Sequence, residues 1–389
     1  MTGTDSRTGP GAEADRLARV ALSCAGEPGH PKLLEDVRVK GAAYVLAKLR
    51  GQVEEGELGG DLAERLRTID PARELMRAEA AGLRFVVPGD REWPTSLDNL
   101  VRASYLHERG EVPIGVWCRG VARLDEICAD GVAVVGSRSA TTYGGQVAAD
   151  IAATLAREHW TTVSGAAFGI DQAAHRGALA AGGPTVAVLA CGVDRPYPVA
   201  HSQLLDYIAQ VGLVVSEAAP GFAPTRIRFL ARNRLIAALA RGTVVVEAAV
   251  RSGALNTASW TSGLERVLMG VPGPVTSAPS AGVHQMLRSR DALLVTSGEE
   301  VLEAVGPVGT FTLEEPREPD RPRDRLRAHE RQVLDAVPKH VGMPPTSIAR
   351  TAGLSPTSTR AALAELSRAG LVEQSLGRWR LAAPPEDGL

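Results

Sequence analysis

Between residues 132 and 305 the sequence alternates regularly between two patterns. Short apolar runs rich in β-branched residues alternate with stretches in which apolar residues recur every three or four positions; the runs are VAVVG, TTVSG, TVAVLAC, LVVS and TVVVEA. Runs that are apolar at nearly every position suit a parallel sheet, because helices cover both of its faces. The alternation therefore predicts an α/β domain, an extended Rossmann-like, doubly wound parallel sheet. Helices are predicted over 145–157, 170–181, 231–240 and 256–269.

The segments around this sheet predict further modules. Residues 1–14 are polar and rich in Gly, Ser and Thr, which predicts a disordered tail. Residues 15–82 carry apolar residues at helical spacing and predict an N-terminal helical module, followed by the Rossmann-like domain over 83–306. Residues 307–325 have the proline-rich, charged composition of a linker. Residues 326–382 follow the order of a C-terminal winged-helix module: helix, turn, helix and hairpin.

One basic segment suggests a ligand. Residues 222–241 read FAPTRIRFLARNRLIAALAR, with five arginines and no acidic residue, in a chain whose formal net charge is -2. Guanidinium groups bind phosphate oxygens through paired hydrogen bonds and stay charged at any working pH. The segment therefore indicates a track for a nucleic-acid backbone, with a solvated helix face as the alternative. Its candidate contacts are Arg226, Arg228, Arg232, Asn233 and Arg234.

The loop after the first predicted strand is the second candidate. It runs from Gly136 to Gly144, is rich in Gly, Ser and Thr, and precedes a predicted helix. Strand carboxyl ends face the ligand in open α/β sheets, and N–H groups at a helix N-terminus bind anions. Arg138 stands where a dinucleotide fingerprint needs its second glycine, so the loop suits a phosphate better than a dinucleotide. We predict phosphate contacts from Gly136, Ser137, Arg138 and Ser139, with a tight strand-to-helix turn as the alternative.

Two more strand ends carry small polar residues. The motif SGAAFGID follows the second strand, and we expect Ser164, Gly165 and Gly169 to extend the phosphate-facing surface while Phe168 stacks on a base. The motif RSGALNTA follows the strand TVVVEA and adds four candidates: Ser252, Gly253, Asn256 and Thr257. Three strand ends are thus expected to converge on one anion-binding edge.

Several residues at this edge have structural readings as well. Phe168 is equally a packing residue, Asp171 a helix cap and His175 a hydrogen-bonded core histidine. Glu247 either orders nearby arginines or marks a former catalytic position. The four cysteines are scattered without a zinc-ligand spacing, so we expect no metal and no cofactor. The sequence lacks a run long enough to span a bilayer and a signal-peptide layout, so we expect a cytoplasmic protein without membrane contact.

Taken together and in order, six motifs resemble the DprA/Smf family of bacterial DNA-processing proteins: GSRSATTYG, SGAAFGID, AVLACGVDRPYP, RFLARNRLIAALA, VVVEAAVRSGALNTA and VPGPV. The resemblance covers about 85–305, and both flanking modules resemble accessory domains of that family. It implies that Ser137 and Arg138 belong to a Gly-Ser-Arg phosphate loop. It likewise implies that Ser164, Gly165, Gly169 and Asp171 form the Ser-Gly-x-Ala-x-Gly-Ile-Asp motif, and 232–234 the Arg-Asn-Arg motif. Two departures are Phe168, where relatives are often basic, and the lysine-free VAHSQ after Tyr197-Pro198.

The resemblance also implies a function. Members of this family act without catalysis as recombination mediators: they bind single-stranded DNA taken up in natural transformation, protect it and help RecA form filaments on it. The implied partners are single-stranded DNA, RecA and single-strand-binding protein. A homodimer is implied too, and the apolar residues between Met286 and Leu302 suit such an interface or equally their own sheet.

A different class of function is the alternative. Rossmann-like nucleotide hydrolases of the lysine-decarboxylase-like, cytokinin-activating type are similar in their Gly-Ser phosphate loop. They carry a Pro-Gly-Gly-x-Gly-Thr-x-x-Glu motif. Here the nearest segments, EAAVRSGALNTA and VPGPV, lack its glycine pair and its glutamate, which favours the binding protein.

Overall fold

The computed structural model describes residues 10–51, 60–103, 110–289, 291–311 and 326–382. The chain divides into two compact units, Met1–Leu313 and Glu314–Leu389. Of the predicted disordered tail, residues 1–9 lie outside the described residues, whereas residues 10–14 are already helical. Most of the predicted linker, residues 312–325, also lies outside the described residues.

Among the described residues, five helices open the first unit: α1 (Pro10–Ala25), α2 (Pro31–Lys40), α3 (Ala42–Gly51), α4 (Gly60–Thr68) and α5 (Pro71–Ala80). Proline at the first position of α2 and of α5 suits a helix start, because its missing N–H would have no partner within the helix. Leu22, Leu33 and Leu66 lie in a core that these helices form among themselves. Val20 and Ala78 instead join a second core with the first strands, so the helices and the sheet share one unit.

In the part of the chain that the structure describes, nine strands form the sheet at the centre of this unit, in the order β1-β2-β6-β5-β4-β3-β7-β8-β9. Its strands are β1 (Leu83–Val86), β2 (Val116–Arg119), β3 (Gly131–Val135), β4 (Thr161–Ser164), β5 (Thr185–Val188), β6 (Leu213–Ser216), β7 (Gly242–Val245), β8 (Val267–Gly270) and β9 (Leu293–Leu294). Strands β1 and β2 pair antiparallel at one edge, and the ladders from β6 to β9 are parallel. Strands β4, β5 and β6 follow β3 on one side, whereas β7, β8 and β9 lie on its other side. The strand order thus switches between β3 and β7, and open α/β sheets bind ligands at this switch point.

Helices cover both faces of the sheet: α6 (Leu100–Ala103), α7 (Leu124–Ile127), α8 (Thr142–Arg157), α9 (Ile170–Ala180), α10 (Ser202–Val211), α11 (Arg226–Ala238), α12 (Ala254–Gly263), α13 (Ala281–Ser289) and α14 (Gly298–Val305). Strand β3 shows the two-sided burial, because its successive side chains point to opposite faces. Ala133 and Val135 join the core that includes residues of α11 and α12, and Val132 and Val134 join the core under α8 and α9.

The predicted fold class is confirmed, with one error in its elements. The helix predicted over 256–269 ends at Gly263, and its last three residues, 267–269, belong to strand β8 instead. The chain turns at Glu265, whose φ is 55°, and the N–H of Arg266 returns to the carbonyl of Thr261. A short apolar run such as VLM fits either element by periodicity, so the turn decided the outcome.

The second unit is the predicted winged helix-turn-helix. It contains α15 (Ala328–Ala336), α16 (Pro345–Ala352), α17 (Pro356–Arg368) and the antiparallel hairpin β10 (Val372–Ser375) and β11 (Arg378–Leu381). Gly353 ends α16 in the left-handed region, with φ 66°, and Ser355 caps α17 by accepting the N–H of Ser358. Val333, Ile348 and Leu363 are among the side chains that form its core.

Candidate nucleic-acid interface

A cavity of about 660 Å³ opens at the carboxyl edge of the sheet, where the strand order reverses. Its walls come from the ends of β3, β4 and β7, from α11 and from the start of α12, so the predicted convergence of three strand ends is present in the fold. Four arginines and one aspartate are the charged residues among its lining: Arg138, Arg226, Arg232, Arg251 and Asp171. The predicted residues that line it are Gly136, Ser137, Arg138, Ser139, Arg226, Arg232, Asn233, Ser252, Gly253 and Thr257.

Helix α11 is built against the usual electrostatic preference of helices. Its first turn holds Arg226 and Arg228 and no acidic residue, although the N-terminus of a helix already carries partial positive charge. Thr225 caps the helix by accepting the N–H of Arg228. The positive potential of the helix end and of Arg226 is therefore added at the cavity, which favours an anionic ligand there.

Arg232 is the most enclosed cation of the cavity, with 7% of the residue exposed. Its Nη1 donates to the carbonyl of Val188 at 2.9 Å, and its Nε donates to Oδ1 of Asn233 at 3.2 Å. Burial lowers the pKa of Arg232 to about 10, although the nearby Asp171 favours the charged form. Gly165 makes room for this guanidinium, because a Cβ there would lie 1.7 Å from Nη1.

Asp171 holds the loop that follows β4. Its Oδ2 accepts the N–H groups of Gly165 at 3.2 Å and Ala167 at 3.4 Å. Burial raises the pKa of Asp171, while Arg232 and these N–H groups oppose the shift. Gly169, with φ 79°, lets this loop touch the loop after β3, since a Cβ would lie 2.3 Å from the carbonyl oxygen of Ser137. The small residues of SGAAFGID thus shape the cavity from below.

The start of α8 corrects the prediction of an anion at that helix N-terminus. The carboxylate of Glu247 occupies it: Oε2 accepts the N–H of Thr141 at 3.0 Å, and Oε1 accepts its hydroxyl. Gly144 faces this carboxylate, and a Cβ there would lie 2.3 Å from its carbon. Glu247 therefore orders the loop rather than the arginines, while the loop still presents Ser137 and Arg138 to the cavity.

Asn233 joins α11 to α12. Its Nδ2 donates to the carbonyl of Gly253 at 3.3 Å and to Oδ1 of Asn256 at 3.1 Å. Asn256 thus acts on the cavity through Asn233. Ser252 accepts the N–H of Ala254 at the start of α12. These contacts fix the wall that Thr257 completes.

Among the lining residues that the sequence prediction missed, Phe229 and Arg251 have side chains suited to a nucleic acid. Phe229 lies in the cavity, with the guanidinium carbon of Arg138 4.6 Å and that of Arg232 5.8 Å from its ring centroid. The spacing of Arg226, Phe229 and Arg232 is three residues each time, so they share one side of α11, and this periodicity could have revealed it. Arg251 belongs to the RSGALNTA motif but was passed over in favour of its smaller neighbours.

Seven predicted contacts are absent from the lining, namely Ser164, Gly165, Phe168, Gly169, Arg228, Arg234 and Asn256, and three of them have side chains engaged within the fold. Arg234 is fully buried in an ion pair with Glu217, and Ser164 is fully buried with its hydroxyl donating to the carbonyl of Val134 at 2.6 Å. Arg228 forms two hydrogen bonds with Glu27, at 2.9 and 2.7 Å, and its side chain is 11% exposed. These side chains stabilise the fold, so Arg234 and Ser164 are corrected as ligand contacts and Arg228 is occupied by Glu27.

Phe168 and His175 occupy different environments. Phe168 lies beside the cavity, half exposed, with its ring centroid 4.6 Å from that of His201. His175 is buried, Nδ1 lies 2.8 Å from the hydroxyl oxygen of Thr185, and burial lowers the pKa of His175 to about 3. His175 is therefore a neutral core residue, as its structural reading predicted.

Two searches of the described residues bear on other kinds of site. Within the described ranges, His, Cys, Asp and Glu form no group of three or more that could hold a metal ion. Among the helices that the structure describes, none is both long and apolar enough to cross a membrane.

Comparison with known proteins places these features in a family. Residues 84–306 match the family model described as DNA recombination-mediator protein A, and residues 332–376 match the IclR helix-turn-helix domain. The chain is 46% identical over 369 residues to a Mycobacterium tuberculosis protein named DNA processing protein DprA, covering 92% of each chain.

A streptococcal relative is similar in sequence and in structure. The DNA processing protein DprA of Streptococcus pneumoniae is 41% identical over 197 residues, which are 51% of this chain and 68% of that protein. The X-ray structure of DNA processing protein A from the same organism superposes with a TM-score of 0.60 at 30% identity, covering 76% of this chain and 97% of that one.

Proposed function

Because this chain belongs to the family of DNA recombination-mediator protein A, we propose that it binds single-stranded DNA in the arginine-lined cavity and delivers the strand to a recombinase. Its relatives are named DNA processing proteins, which supports a role in DNA processing. On this proposal it protects strands taken up in natural transformation, helps RecA form filaments, and works in the cytoplasm.

The observation that carries the proposal is the composition of the cavity. Arg138, Arg226, Arg232 and Arg251 line it together with the ring of Phe229, at the edge where strand ends and two helix starts meet. Arginines bind phosphates without regard to base identity, and an aromatic ring offers stacking to any base. Such a site suits a flexible strand, whose bases are free to turn toward the protein, without strong sequence preference.

Partner proteins form a finer part of the proposal. RecA and single-strand-binding protein enter from the family resemblance alone. The homodimer has some support in the fold: Leu293 and Leu294 of β9, the edge strand of the sheet, are 55% and 56% exposed. Exposed leucines on an open strand edge favour a covering partner, here a second copy of the chain. Val295, Val301 and Leu302, by contrast, are buried in their own unit.

We propose a binding role without catalysis. Two candidate catalytic groups are already engaged, because Glu247 holds the N–H and hydroxyl of Thr141 and His175 is a buried neutral residue. Incubation with nucleoside monophosphates tests this part: the proposal expects no free base, and release of base would favour the nucleotide-hydrolase alternative.

Gel-shift titrations test the binding itself. We expect tighter binding to a single-stranded oligonucleotide than to its duplex, and log affinity should fall linearly with log salt, as it does when bound phosphates release counterions. Equal affinity for both forms, or affinity independent of salt, would contradict the proposal. Light scattering on the same samples reports whether the chain is a dimer.

A further inference from the structure

An exposed apolar strip lies beside the cavity without lining it. We define it as Tyr197, Val199 and Phe168, which are 41%, 76% and 46% exposed. Both of its rings connect to the loop 197–201. The ring of Tyr197 lies 5.8 Å from that of Phe229 inside the cavity, and the ring of Phe168 lies 4.6 Å from that of His201. The strip therefore continues the aromatic lining of the cavity outward.

The supporting loop is held firmly. His201 is 1% exposed, and its Nδ1 lies 2.9 Å from the carbonyl oxygen of Ala166 in the loop that carries Phe168. Asp194 accepts the N–H of Gly221 through both carboxylate oxygens, at 2.9 and 3.0 Å. Rings presented on a fixed loop lose little conformational freedom when a ligand binds.

The chemistry of the strip differs from that of the cavity. Its three side chains carry no charge, and the adjacent Arg195 donates its Nη1 to the carbonyl of Gly221 at 2.9 Å. A phosphate therefore has its attractive partners in the cavity, whereas the strip offers faces that suit the planar bases.

We propose that the strip binds unstacked bases of the strand whose phosphates lie in the cavity, and that it provides the preference for single-stranded over duplex DNA. The inference rests on the proposed function. In a duplex the base faces are stacked on one another, so duplex DNA would use the arginines but not the strip. A protein partner covering the strip is the competing occupant, and it would leave DNA binding independent of these rings.

The test uses the full chain with Tyr197→Ala, Phe168→Ala and both together. Each ring should contribute about tenfold to single-strand affinity, a common value for base stacking, while duplex affinity and the slope of log affinity against log salt stay unchanged. Tyr207→Ala is the matched control, because Tyr207 is 49% exposed on α10, outside the strip. Tyr197→Trp should restore binding, and thermal melting of each variant checks folding.

An oligonucleotide whose sugars lack bases separates stacking from phosphate binding. The parent should lose affinity when bases are removed, and the double variant should bind the two oligonucleotides about equally. If the double variant binds single strands as the parent does, or if removing bases leaves the parent unaffected, the inference is wrong. If the parent itself shows no salt-dependent binding to single strands, the proposed function fails instead.

Discussion

Helix α11 presents arginines on two faces with different neighbours, although all four stand in one basic segment of the sequence. Arg226 and Arg232 line the cavity. Arg228 and Arg234 turn away from it, toward Glu27 and Glu217. Residue type and local spacing therefore do not decide the role of a cation in this helix. The carboxylate that another segment places opposite it decides.

The side of α11 that carries Arg228 and Arg234, here called the inner face, is joined to the N-terminal helices. The carboxylate of Glu217 accepts hydrogen bonds from both terminal nitrogens of Arg234, at 2.7 and 2.8 Å, and from the N–H of Gly29 at 3.2 Å. Arg234 Nε donates to the carbonyl of Glu111 at 3.1 Å. Arg228 stacks over Phe222 at 4.3 Å while it holds Glu27. The connection between α1 and α2 is thereby fastened to the helix that forms the cavity wall.

The largest effect is expected at the inner face. Arg234→Met should reduce the free energy of unfolding by about 3–5 kcal/mol, because it leaves the carboxylate of Glu217 buried without its cation. Urea denaturation measures the loss. The double variant Arg234→Met with Glu217→Leu is the control and should recover part of it. A loss near that of an ordinary surface substitution would erase the distinction between the two faces.

The other side of α11, which carries Arg226 and Arg232, lines the cavity and should respond in single-strand affinity. Arg232→Ala and Arg138→Ala should each weaken single-strand affinity about tenfold for all sequences and flatten the salt slope by about one unit, as expected for one lost phosphate contact. Arg176→Ala, an exposed arginine on α9, is the matched control. Gel-shift series at several salt concentrations measure both quantities. Parental binding by both variants would show that the cavity is misassigned.

A substitution at Gly165 tests the role of Arg232 without removing any charge. Gly165→Ala places a methyl group where the guanidinium of Arg232 lies, so we expect most of the affinity loss seen in Arg232→Ala. The double variant should be no worse than Arg232→Ala alone, since one cause underlies both losses. Fluorescence anisotropy with a labelled oligonucleotide measures all three proteins. Additive losses would mean that Gly165 acts independently of Arg232.

Breaking the Glu27–Arg228 pair should have a smaller effect. Glu27→Gln should reduce the free energy of unfolding by about 1 kcal/mol, the upper range for ion pairs at partly exposed sites. Single-strand affinity should stay within about twofold, because Arg228 is directed at Glu27 rather than at the cavity. Denaturation and binding are measured on the same preparation, with Glu13→Gln on α1 as the control. A gain in affinity above that range would show that Arg228 becomes a phosphate ligand once freed.

The smallest effect is expected from the second unit. Deleting residues 320–389 should reduce single-strand affinity by less than tenfold, which corresponds to about 1.4 kcal/mol. The compact unit that ends at Leu313 contains the whole cavity. The full chain and the shortened chain are compared by gel shift at one salt concentration. A larger loss would move the binding surface from α11 to the winged helix.

The sequence predicted what depends on local pattern. Buried β-branched runs identified β3 to β7, and glycine-bearing strand ends identified the loops that meet at the cavity. It failed where a distant residue decided the outcome: Glu217 removed Arg234 from the surface, and Glu247 filled the helix start that an anion was expected to occupy. Phe229 was missed because an aromatic residue within a basic segment reads first as packing. Strand β8 was missed because its short run has no distinctive period.

The carboxylate of Glu247 also bears on whether free nucleotides could bind at this edge of the sheet. The phosphate of a mononucleotide bound at a Rossmann-like edge would lie at the N-terminus of the first helix after the first strand. Here the carboxylate of Glu247 already lies at that end of α8. On the proposed function, a free nucleotide would therefore bind weakly here. A polymer gains more, because its successive phosphates reach several arginines at once. On the proposed function, this internal carboxylate would favour long strands over the monomers from which they are made.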